Sequence, residues 1–340
     1  MLAYFDQLVS MSISVIITHF APPEETNYYR DILKKTIYSV RSQEVDFDVE
    51  IIVCDDGSAW SRSLSTNDGI TDFDRSKIKS CSLLDDLNVD RYLLLPDVGN
   101  FRKAAIQHRA IELASNEKIV MLDDDNYFIK KDSLARYYTY LDKYNYVCGR
   151  LIGPPQNGSV PKLYLSKNTQ GTNFGLRKEL YFSFGGYPEF LFINSMGEDD
   201  VLLWLIYSKL KELYPNEKKA CFAGEIETQD LITGRWVSRN QSSKSVLKEM
   251  CRSLYGIDPN RNPSRNKLTW MELPSGQSWK SEGRYFLRYF LSDLISYYRK
   301  PARRYLNQLR YYIKFFIQYS TSLAGWRKVI YKVNGIFRGR

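Results

Sequence analysis

The sequence predicts an α/β fold built on a parallel sheet, and three observations carry that prediction. Short, nearly continuous apolar runs recur at residues 12–18, 49–54, 92–95 and 118–122, the pattern of strands covered on both faces. Segments with helical spacing of apolar residues lie between them. Acidic clusters follow two of the runs, Asp55-Asp56 and Asp123-Asp124-Asp125, at the strand ends where an open parallel sheet binds ligands.

Taken in order, Ser12-Ile13-Ser14-Val15-Ile16-Ile17-Thr18 is β-branched and forms the first strand, ended by Pro22-Pro23. Leu33, Ile37 and Val40 then mark a helix within 27–43. The second strand, 49–54, enters Asp55-Asp56-Gly57-Ser58. Strand, helix and strand in such a short stretch make a βαβ unit. Residues 59–90 are polar and read as a helix with irregular connections. The third strand, 92–95, is broken by Pro96, with Gly99 permitting a turn. Apolar residues at 105, 106, 110, 113 and 114 predict a helix over 102–114, and 118–122 is the strand that delivers the Asp triplet. A loop-rich stretch, 149–170, precedes Gly171-Thr172-Asn173-Phe174-Gly175-Leu176-Arg177 and Gly185-Gly186-Tyr187.

Composition narrows the class. The chain of 340 residues, 44% hydrophobic and 26% charged, can bury a full core. No window of 18 uncharged apolar residues exists, so a membrane-spanning helix is not expected, and the N-terminus lacks the pattern of a secretory leader. Five scattered cysteines without CxxC spacing read as reduced thiols in an intracellular setting. Two histidines, His19 and His108, exclude a His-rich metal site. The net charge of +9 is concentrated: residues 284–340 hold 13 of the 48 Lys and Arg but one of the 39 acids.

Three adjacent carboxylates repel one another unless a cation or hydrogen-bond donors hold them. In an extended segment Asp123 and Asp125 project to one side and Asp124 to the other, a spacing that suits a hard divalent ion completed by a diphosphate. A solvated acidic turn is the competing reading. Glu198-Asp199-Asp200, just before 201–206, is either a helix cap favoured by the macrodipole or part of a site.

The ordered set Ser14-Val15-Ile16-Ile17-Thr18, Val53-Cys54-Asp55-Asp56-Gly57-Ser58, Leu122-Asp123-Asp124-Asp125, and Gly185-Gly186-Tyr187 with Gly197-Glu198-Asp199 resembles the family 2 glycosyltransferases over residues 11–225. The resemblance implies a GT-A fold, a Rossmann-like and mostly parallel sheet flanked by helices, here with a C-terminal helical extension. It implies that Thr18 and Phe20 contact the nucleotide base and that Asp56 accepts from base or ribose. Arg102 would reach the nucleotide and its phosphates. Asp123 and Asp125 would be the DxD pair on Mn²⁺ or Mg²⁺, with Asp124 facing the ribose or supporting the turn. Asp199 would be the general base, with Glu198 as its substitute. Two departures stand out. Gly234-Arg235-Trp236 is present but Ile232 occupies the Gln position of the processive QxxRW motif, and no His follows His108 to complete the metal shell.

The expected organisation is a catalytic domain at 11–225, an acceptor-side linker or subdomain at 226–283, and basic, aromatic amphipathic helices at 284–340. The expected reaction is inverting, metal-dependent transfer of a single sugar from a nucleotide-diphosphate sugar, UDP-linked, to a glycan or lipid-linked glycan in surface polysaccharide synthesis. A sugar-nucleotide nucleotidyltransferase is the rival enzyme, although the loop 18–23 has no Gly for a phosphate cradle. A non-catalytic membrane-associated binding protein is the other rival. Leu306, Leu309, Ile313, Phe316 and Ile317 lie opposite Arg303, Asn307, Arg310, Lys314 and Gln318, a face suited to an anionic membrane surface; packing on the catalytic domain is the alternative, and no nucleic-acid partner is expected. The setting would be cytoplasmic, at the inner membrane face if the tail binds lipid.

Overall fold

The computed structural model describes residues 12–61, 71–74, 85–96, 102–153, 172–188, 198–231, 253 and 270–278. Its centre is β1 (Ser12–His19), buried at every residue but the first. Successive side chains of a strand face opposite ways, and β1 shows it: Val15 and Ile17 join one core cluster and Ile16 the other. Burying each such aliphatic side chain is worth about 1.5–3 kcal/mol.

Helix α1 (Thr26–Arg41) buries Ile32, Leu33, Ile37 and Val40 and leads to β2 (Asp48–Asp55), parallel to β1. Strand β3 (Thr71–Asp74) is an antiparallel edge on β4 (Arg91–Leu94), which runs parallel to β2. Helix α2 (Lys103–Leu113) then crosses to β5 (Lys118–Asp123), parallel to β1 on its other side. The order β4-β2-β1-β5 therefore reverses at β1, which opens a crevice between the C-terminal ends of β1 and β5, the usual ligand site of such sheets.

The second half adds a short β6 (Asn126–Phe128), α3 (Ser133–Lys143), β7 (Tyr146–Ile152), β8 (Phe174–Arg177), α4 (Lys178–Ser183), α5 (Glu198–Leu213), β9 (Ala220–Asp230) and β10 (Met271–Glu272). β8 lies antiparallel between β5 and β7, and β9 is parallel to β7. Helices α1 and α3 cover one face of this mixed, mostly parallel sheet; α2, α4 and α5 cover the other. Each face has its own core.

The helix expected within 59–90 is not tested, because 62–70 and 75–84 lie outside the described residues; the rest contributes β3 and a 3-10 turn at Asp85–Leu87. Thr71-Asp72-Phe73-Asp74 is too polar to announce a strand, but an edge needs only Phe73 against the core. Two readings change. The extended run through the Asp triplet ends at Asp123, and Asp124-Asp125 form a turn into β6. The sheet does not stop at 225: β9 runs through 225–226, and Trp270 and Met271 enter the core, so part of 226–283 belongs to the same sheet. The basic helices expected at 284–340 lie outside the described residues. Among the described residues no helix is long and apolar enough to cross a membrane.

Candidate active site

The acidic turn after β5 is held by its backbone from four directions. Asp123 N–H donates to Thr172 Oγ1 at 2.9 Å, and Asp124 N–H to the Thr18 carbonyl at 2.9 Å. The Asp124 carbonyl accepts from Thr36 Oγ1 at 2.6 Å, and the Asp125 carbonyl from Leu231 N–H at 2.7 Å. Donors and acceptors from β1, α1, the β8 approach and the end of β9 thus fix one short turn.

Its three carboxylates have different environments. Asp124 is buried, with Oδ2 2.6 Å from His19 Nδ1 and 3.5 Å from the Phe20 N–H. On its other side the His19 ring meets Trp60, whose Nε1–H donates to His19 Nε2 at 3.0 Å. An indole N–H only donates, so Nε2 is the bare nitrogen and the proton sits on Nδ1, donated to Asp124. Asp125 is half-buried and its Oδ1 accepts from Asn126 Nδ2 at 3.0 Å.

Asp123 faces α2. Its side chain is 30% exposed, and Oδ1 lies 2.8 Å from Lys103 Nζ; the same ammonium is 3.8 Å from Asp199 Oδ1, whose side chain is 35% exposed. Lys103 itself is buried. Burial works against its charge, but Asp123, Asp199 and Glu198 together outweigh that and hold the ammonium above the ordinary lysine range. Glu198 is buried whereas Asp199 reaches the surface, so of the two it is Asp199 that an incoming hydroxyl could approach.

The second acidic turn, after β2, is closed. Asp55 is buried and accepts from Ser58 N–H at 2.8 Å, Ser61 Oγ at 2.5 Å and Tyr92 OH at 2.5 Å. Asp56 is buried and gripped by Arg102: its Oδ1 takes Nε at 3.0 Å and Nη2 at 2.7 Å, and its Oδ2 takes the Arg102 backbone N–H. Burial pushes the Asp56 carboxyl up, and Arg102 opposes that shift. Gly57, at φ 76°, makes the left-handed step that lets this turn close.

Of the predicted residues, the fold gathers Thr18, Phe20 and Asp124 at the end of β1, and Asp123 with Asp199 around Lys103. Asp56 and Arg102 form their own pair. The Thr18 hydroxyl accepts from Gln107 Nε2 at 2.8 Å, and Gln107 Oε1 accepts from Tyr187 OH at 2.8 Å. Sequence reasoning missed Lys103, His19, Gln107 and Trp60. A signal for two of them existed: positions 103, 107 and 110 share one face of α2, the face that Ala110 carries into the core, so a lysine and a glutamine there needed partners.

Among the described residues no group of three or more His, Cys, Asp or Glu side chains forms a protein-only metal site. Asp123 and Asp125 are oxygen donors, both partly exposed. That pair fits a hard divalent ion only if substrate oxygens and water supply the rest of its shell.

A parallel sheet whose strand order reverses beside a partly exposed carboxylate group defines a Rossmann-like domain with a ligand crevice at that point. Residues 14–196 match the model of Glycosyl transferase family 2. The match spans more than half of the chain, which belongs to this family and has a GT-A-like fold. The match includes Asp56, Arg102 and the Asp triplet and ends just before Asp199. Among solved structures, S. aureus TarS 1-349 in complex with UDP-GlcNAc is 15% identical at a TM-score of 0.50, over 91% of this chain and 81% of that one. A longer S. aureus TarS structure is 15% identical at 0.49, over 76% of this chain and 42% of that one, so the chain spans less than half of that protein. The mannosyltransferase PcManGT from Pyrobaculum calidifontis, in complex with GDP-Man and Mn2+, is 16% identical at 0.42, over 66% of this chain and 57% of that one. At 15% identity the likeness to TarS 1-349 is one of fold. No curated protein sequence matches the chain.

Proposed function

We propose that the enzyme transfers a single hexose from a UDP-linked sugar to a glycan or lipid-linked glycan acceptor with inversion, as a step in surface polysaccharide synthesis. The observation that carries this reading is the approach of Asp199 to the acidic turn: a carboxylate from α5 and one from β5 meet at Lys103, each about one-third exposed. A leaving diphosphate would lie on the turn side, with Asp123 and Asp125 holding a Mn²⁺ or Mg²⁺ ion. When bound, such an ion neutralises charge on the departing diphosphate.

Asp199 is the base. It accepts the proton of the acceptor hydroxyl as that oxygen attacks the anomeric carbon from the face opposite the diphosphate, a contribution of about 10²–10⁴-fold. Thr18 and Phe20 sit at the end of β1 where a base would dock, and Arg102, fixed by Asp56, borders the same strand ends. Asp124 supports the turn through His19 and takes no further part.

A nucleotide-release screen over UDP-, GDP- and dTDP-sugars, with and without Mn²⁺, tests this. Release is expected from a UDP-sugar with Mn²⁺; Asp125→Ala should lose the metal-dependent binding, and Asp199→Asn should keep donor binding and lose about 10²–10⁴-fold in transfer. Transfer at the parental rate by Asp199→Asn would sink the base assignment. The basic aromatic tail, 284–340, is proposed to hold the enzyme at anionic lipid where such an acceptor is presented. Full-length chain should pellet with anionic vesicles and a 1–283 chain should not; equal pelleting removes that role.

A further inference from the structure

Lys103 stands in an electrostatically poor place for a lysine. It opens α2, where the helix dipole already presents positive charge, and its ammonium is buried. Both penalties are met by one arrangement, Asp123 at 2.8 Å and Asp199 at 3.8 Å. Those two carboxylates come from different elements, the end of β5 and the start of α5. Without a cation between them they would repel; the Asp199 Oδ1 that faces Lys103 is buried and lies beyond hydrogen-bond reach, so charge alone holds it there.

We infer that Lys103 is a positioning residue for Asp199: its ammonium ties the carboxylate of α5 to the strand-end carboxylate Asp123 and so fixes the base opposite the acidic turn. The long, flexible lysine stem is otherwise unsuited to a core position, and no apolar residue could do this work. This role rests on the reading of Asp199 as the base.

The test is a double-mutant cycle in kcat and donor KM, using the nucleotide sugar that the parent releases, on Lys103→Met, Asp199→Asn and the double variant, with folding checked by circular dichroism. Lys103→Met is expected to lower kcat roughly 10–100-fold, the cost of a misplaced reacting group, with donor KM nearly unchanged. In the Asp199→Asn background the same change should cost less than about twofold more, since coupled residues are non-additive. Lys103→Arg, which keeps the charge, should recover much of the rate. Parental kcat in Lys103→Met, or fully additive losses in the double variant, would overturn the positioning role while leaving the base assignment standing. Parental transfer by Asp199→Asn removes the base assignment itself, and the positioning role with it. Should Lys103→Met fail to fold, Lys103→Arg carries the same cycle: whatever loss it shows must vanish in the Asp199→Asn background, or the role is wrong.

Discussion

The chain has two acidic turns, at the ends of the two strands that flank β1, and their carboxylates are enclosed to different degrees. After β2, both carboxylates are buried and saturated from within: Asp55 by Ser58, Ser61 and Tyr92, Asp56 by the fork of Arg102. After β5, one carboxylate is buried against His19, while Asp123 and Asp125 keep part of their surface in water. Backbone hydrogen bonds to β1 hold both turns: Asp56 N–H donates to the His19 carbonyl at 3.2 Å, and Asp124 N–H to the Thr18 carbonyl at 2.9 Å. What differs is enclosure: the carboxylates of the first turn are buried, whereas Asp123 and Asp125 stay partly exposed even though Lys103 and Asn126 pair with them.

That contrast can be broken by measurement. The largest effect on stability is expected from Arg102→Met, which strands the buried Asp56 carboxylate; chemical denaturation should show a loss of about 3–5 kcal/mol. A loss under about 1 kcal/mol would mean that the Asp56 ion pair is solvated and open in solution. The smallest is expected from Asp125→Asn. It removes charge at a half-exposed position that keeps its backbone clamp, so stability should move by no more than about 0.5 kcal/mol. A large loss there would make the second turn structural like the first.

Much of the first half of the fold was legible because buried parallel strands announce themselves: β1, β2 and β5 are apolar on both faces, and α1 carries its stripe. β3 and β8 were not, for different reasons. β3 is a polar edge. β8 is four residues, Phe174–Arg177, set between two longer strands, and its identity comes from pairing with β5 and β7, not from its own pattern. At the site, the acidic residues were visible as residue types, but their division of labour was not. Asp55 and Asp56, or Asp124 and Asp125, are adjacent and chemically alike. Only tertiary partners such as Tyr92, Arg102 and His19 separate them, and those lie tens of positions away. Lys103 and Arg102 are adjacent cations in the sequence, and only their separate partners, Asp123 and Asp56, tell them apart.

The contact between Leu231 N–H and the Asp125 carbonyl closes the acidic turn from the residue just after β9, beyond the region matched to the family. The segment matched to the family therefore does not contain everything that holds the acidic turn. β6 pairs with β9 in the register Asn126↔Asp230, so a one-residue slip near 226–231 would turn that pairing over and release the turn. Insertions and deletions that spare the whole matched region could still move the acidic turn, by way of a strand that lies outside it.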